Sequence, residues 1–101
     1  MNAGITVDMS KIEEFCHRRS VRRLAVYGSM VRGDPRPESD VDVLVMFQPG
    51  RTPGFFTIFE MEEELSGYFG GRKVDLRTPE DLSRHFRDEV LQYAEVLHAE
   101  E

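Results

Sequence analysis

The amino-acid sequence predicts an α/β domain in which a mixed sheet of about three strands is packed by three to four helices. Three observations point there. Short valine-rich apolar runs end at glycine or at proline-rich loops, as strands do. Other stretches space their apolar residues three and four apart, as helices do. The two kinds alternate along the chain. Taken in order, Met9, Ile12, Phe15 and Cys16 recur at helical spacing with Asp8 or Ser10 available as the cap, which predicts a helix over about residues 9 to 19. Val21 and Leu24 to Tyr27 form a first strand stopped by Gly28, and Ser29 to Arg32 reads as one helical turn closed by Gly33. The segment Asp34-Pro35-Arg36-Pro37-Glu38-Ser39 is a loop, and residues 40 to 47 form the second strand. After a second loop, Gln48 to Gly54, an amphipathic helix is marked by Phe55, Ile58, Phe59, Met61, Leu65, Tyr68 and Phe69 and ended by Gly70-Gly71. A third strand follows over residues 73 to 77. Thr78-Pro79-Glu80-Asp81 supplies a cap, a proline at the first helical position and acid in the first turn, so a last helix is expected there. Its stripe of Leu82, Phe86, Val90, Tyr93, Ala94 and Leu97 would cover the sheet.

Size and charge narrow the function classes. The 101 residues, 40% hydrophobic and 32% charged, suit one domain over residues 1 to 101 with a single modest core. The run Val43 to Phe47 is far short of a membrane span, and Met1-Asn2-Ala3-Gly4 has no secretion signal, so a cytoplasmic home is expected. Cys16 is the one cysteine, which excludes an internal disulfide and reads as a small buried hydrophobe. A net charge of −6 argues against broad nucleic-acid binding, although arginines gather between Arg18 and Arg23 and acid at Glu60 and Glu62 to Glu64. Both runs read first as solvated faces.

The chemistry lies in Gly28-Ser29 followed by Asp40-Val41-Asp42. A strand that ends in Gly-Ser and turns into a helix offers free N–H groups, a positive dipole end and a hydroxyl, a combination suited to phosphate. Asp40 and Asp42, two apart on a strand, share a face, while Val41, Val43, Val45 and Phe47 on the other face anchor the strand in the core. Paired carboxylates suit magnesium, which takes hard oxygen ligands and shares its shell with a substrate phosphate. Asp75, on the neighbouring strand, would complete a three-carboxylate group. Lys73 and Arg77 flank it, so a plain surface ion pair is the alternative reading of Asp75.

The segments Tyr27-Gly28-Ser29-Met30-Val31-Arg32-Gly33, Ser39-Asp40-Val41-Asp42-Val43-Leu44-Val45 and Val74-Asp75-Leu76 together resemble the minimal nucleotidyltransferases of the DNA polymerase β superfamily. The likeness covers nearly the whole chain. It implies the small polymerase β-like fold and an antitoxin that transfers AMP from ATP to a hydroxyl, tyrosine foremost, of a cognate HEPN ribonuclease toxin. It also implies that Gly28, Ser29 and Arg32 hold the ATP phosphates, and that Asp40, Asp42 and Asp75 hold magnesium, or manganese in its place, with Asp75 nearest the attacking hydroxyl. Val31 stands where many relatives carry alanine, a change in packing rather than chemistry. An Asp-x-Asp also occurs in haloacid-dehalogenase phosphatases, but there the apolar strand precedes the aspartates, and here it follows them.

Other residues rank lower. Arg32 reads equally as a phosphate ligand or as a tie within its loop. His17, His85 and His98 lack metal-ligand spacing and are expected at the surface or on a helix flank, and Phe55, Phe56 and Phe59 are expected to pack in the core rather than to stack an adenine. Two further functions share the fold: an antitoxin that only covers its toxin, and a transferase acting on a small molecule, which the short chain disfavours.

Overall fold

The computed structural model describes residues 7–28 and 40–100. Helix α1 (Met9–Arg18) opens at Asp8, whose carboxylate accepts from the Lys11 N–H at 3.2 Å, and leads into strand β1 (Val21–Tyr27). Strand β2 (Val41–Phe47) follows, then helix α2 (Phe55–Tyr68) and strand β3 (Val74–Arg77). A 3₁₀ turn (Pro79–Asp81), helix α3 (Arg84–Tyr93) and strand β4 (Glu95–Ala99) complete the chain. The sheet order is β3-β2-β1-β4; β2 pairs parallel with β3, and β1 pairs antiparallel with both β2 and β4. The sheet is thus mixed, as expected, with one strand more. The expected helical turn at 29 to 32 and the loop at 34 to 39 lie outside the described residues.

Strand alternation sorts the side chains onto two faces. Val41, Val43 and Val45 of β2, with Leu24 and Val26 of β1 and Val74 and Leu76 of β3, meet Ile12, Phe15 and Cys16 of α1 and Met61 and Leu65 of α2 in the main core. Cys16 is fully buried there, and burial raises its thiol pKa to about 12, so it is inert packing as expected. The other face carries Tyr27 and Leu44, on which Leu82 and Val90 pack in a smaller cluster. Asp42 alternates onto this second face, as Asp75 and Arg77 do on β3. Among the described residues no helix is long and apolar enough to cross a membrane.

The C-terminal third departs from the expected single helix. Leu82 is extended (φ −93°, ψ 144°), and Ser83 starts α3 afresh, its hydroxyl accepting from the Phe86 N–H at 3.3 Å. Arg87 braces this break by donating from Nε to the Pro79 carbonyl at 2.7 Å and from Nη2 to that of Leu82 at 3.3 Å. Ala94 then leaves the helix, and β4 pairs along β1 (Leu24 with His98, Val26 with Glu95). A strand there satisfies backbone groups on the second edge of β1, which a helix lying over the sheet could not do.

Two further expectations fail. Phe55 and Phe56 are each 83% exposed and Phe59 is also exposed, because the stripe of α2 that meets the core runs through Ile58, Met61 and Leu65 and the three phenylalanines lie outside it. His98 is buried rather than at the surface, since it alternates inward on β4, where Nδ1 lies 3.2 Å from a Glu13 carboxylate oxygen.

Candidate active site

The parallel pairing of β2 with β3 is in register at Asp42 and Asp75, so the two carboxylates stem from adjacent strands about 4.8 Å apart on one face. Val41 is fixed at the start of this pairing by its N–H, which donates to the Lys73 carbonyl at 2.8 Å. Asp40 immediately precedes β2 and is exposed. On the other side of Asp42 stands its antiparallel partner Tyr27, the last residue of β1. Gly28 comes next. Its φ of +80° is a left-handed conformation that L side chains rarely adopt, and a Cβ there would overlap Oδ2 of Asp42. Glycine is therefore demanded twice, by the turn and by the carboxylate it faces.

These residues open onto a cleft of about 360 Å³ walled by Tyr27, Gly28, Asp42 and Arg77 from the sheet and by Leu82 and Phe86 from the segment above it. Asp81 and Ser83 complete the rim. The Tyr27 and Phe86 rings meet edge to face, with centroids 6.5 Å apart. Asp42 has a raised pKa, first because it is partly buried and then because Asp75 and Asp40 are negative, with Arg77 opposing. Tyr27 is pushed up to about 12, mainly by burial and next by Asp42.

Asp75 has a partner of its own. Arg77 donates to its Oδ2 from both Nε, at 3.2 Å, and Nη2, at 2.9 Å. The structure thus sets Asp42 and Asp75 side by side with Asp40 near enough to be felt, and it also forms the ion pair foreseen as the alternative for Asp75. Among the described residues, no three His, Cys, Asp or Glu side chains are gathered closely enough to hold a metal ion. The donor set nonetheless fits a hard divalent cation: carboxylate oxygens, mutual repulsion at Asp42, and a neighbouring backbone kept free of side chain. Ser29 and Arg32 lie outside the described residues.

Sequence reasoning missed the cleft walls. Arg77 was legible, since period two puts it on the face of Asp75, whereas Phe86 was hidden within an apparently continuous apolar stripe.

Residues 10–101 match the family described as Polymerase beta, Nucleotidyltransferase. The chain belongs to that family. Among relatives of this nucleotidyltransferase, protein adenylyltransferase MntA of Thermococcus cleftensis is 38% identical over 79 residues, covering 78% of this chain and 77% of its own. A solved structure assigned as a minimal nucleotidyltransferase is 32% identical, with a TM-score of 0.69 over 85% of each chain. The fold is shared further with a structure of the tri-AMPylated Shewanella oneidensis HEPN toxin in complex with MNT antitoxin. That match is 17% identical, covers 91% of this chain and 70% of the matched one, and has a TM-score of 0.64.

Proposed function

We propose that this nucleotidyltransferase is the antitoxin of a two-component system and acts as a protein adenylyltransferase, moving AMP from ATP onto a hydroxyl of its HEPN toxin. One observation carries the reading: a chain similar to protein adenylyltransferase MntA over more than three quarters of its length sets Asp42 between Asp75 and Gly28, at the wall of a cleft. In the reaction the acceptor oxygen attacks the α-phosphorus of ATP, its bond to phosphorus forms, the bond to the bridging oxygen breaks, and pyrophosphate leaves. Gly28, Ser29 and Arg32 hold the phosphates, and Asp75 draws the proton from the acceptor hydroxyl. Asp40, Asp42 and Asp75 are the residues that would hold magnesium, which when bound neutralises charge on the phosphates and sharpens the acceptor as a nucleophile. Tyr27, Leu82 and Phe86 give the cleft an apolar wall beside Asp42.

The test uses ATP labelled at either end, incubated with this chain and its toxin. Label in the α position should pass to the toxin and label in the γ position should not. Transfer from the γ position alone would mean kinase chemistry and defeat the proposal.

A further inference from the structure

The Asp75–Arg77 pair is unusual in what it does not do. It joins residues two apart on one strand, so it ties no element to another and adds nothing to the tertiary fold. It is also accessible, with the two side chains 33% and 46% exposed, a setting in which ion pairs hold weakly and exchange readily. Yet its guanidinium walls the cleft beside Asp42 and opposes the negative charge gathered there. Arg77 is thus a solvent-accessible cation held by two nitrogens on Asp75, a carboxylate to which the proposed function gives the metal. We propose that Arg77 is a resident counter-ion of the carboxylate group. A divalent cation displaces it from Asp75, and it then presents its fork to an anionic group of the substrate in the cleft. Arg77 is thus a substrate-binding residue whose two roles have opposite signs: it weakens metal binding in the absence of nucleotide and strengthens nucleotide binding once metal is present. The inference rests on the proposed function and deepens it.

The experiment measures Mn²⁺ binding to the purified chain without nucleotide, by the paramagnetic signal of free Mn²⁺, and then ATP binding at saturating Mn²⁺. Arg77→Met should bind Mn²⁺ roughly twofold to fivefold more tightly than the wild type, the competition a weak ion pair offers. The same variant should bind ATP about tenfold more weakly, as befits a lost charge-assisted contact. Arg77→Lys keeps the charge but not the paired N–H contacts, and its Mn²⁺ affinity should fall between the two; it also serves if the methionine variant does not fold, as checked by circular dichroism. Mn²⁺ affinity in Arg77→Met equal to or below that of the wild type, or a lysine variant identical to the wild type, overturns the inference. A wild type that binds no Mn²⁺, with or without ATP, overturns the proposed function and the inference with it.

Discussion

Among the described glycines, Gly28 alone has a neighbour that an added Cβ would overlap, the Asp42 carboxylate. The turn needs a left-handed residue and the carboxylate needs the space, so Gly28→Ala should cost about 1–3 kcal/mol and push Asp42 from its place. A lowered melting temperature together with weakened ATP binding in the presence of Mg²⁺ checks both halves. Asp42 carries the opposite strain. Its folded pKa is raised, so the stability linked to its protonated form is present in full below the unfolded value and is lost as pH rises through the folded one. Asp42→Asn should therefore stabilise the metal-free protein at neutral pH by up to about 1 kcal/mol, relative to wild type by chemical denaturation, while weakening metal-dependent nucleotide binding. The aspartates were legible in the sequence because period two on a valine-rich strand fixes which face they take. The hold of Arg77 on Asp75 was foreseeable only as one of two readings, since choosing between them requires the position of Asp42 on the next strand.

The helix pair α1 and α2 is joined by Glu64, which accepts from Arg18 Nη1 at 3.2 Å, from Arg19 Nη2 at 3.3 Å and from the Tyr68 hydroxyl at 2.8 Å. This gives part of the arginine cluster a structural task in place of a solvated one. The Arg18 hydrogen bond, foremost, holds the Glu64 carboxyl near 2, below its ordinary 4.5. The sign is that of a depressed acid: the stabilisation is complete above 4.5 and disappears as pH falls toward 2. Glu64→Gln should cost about 1–2 kcal/mol at neutral pH, since the partners are partly solvated, and should flatten the acid limb of stability between those values in a pH series of urea melts. Strand β4 is the element that sequence reading lost. Leu82, Phe86, Val90, Ala94 and Leu97 sit at intervals of three and four, and helical spacing of that kind is indistinguishable from a helix, an interruption and a short strand. What decides is pairing with β1, some seventy residues away in the chain, which no local window contains.

For the whole molecule, two layers of apolar side chains hold a mixed sheet so that one of its faces, near the end of β1, presents carboxylates to a cleft. The order of elements was legible up to β3 because each strand there ends within two residues of a glycine or proline, Gly28, Pro49 and Pro79, whereas the strand order was not. The exposed Phe55 and Phe56 show where pattern alone misleads: Ile58 in the same turn packs against the core, so apolar residues on a helix mark a core only along the stripe that faces the sheet. In the proposed function the carboxylates neutralise a toxin by chemistry rather than by cover. Asp40→Asn combined with Asp42→Asn keeps shape and removes charge, so a docking surface elsewhere should survive. The decisive measurement is the intact mass of the toxin purified from cells that co-express it with the wild type or with the double variant, read beside cell survival. The toxin should be heavier by one or more AMP units with the wild type, and unmodified, with dying cells, with the variant. A well-folded double variant that protects cells while the toxin stays unmodified would contradict the proposed function.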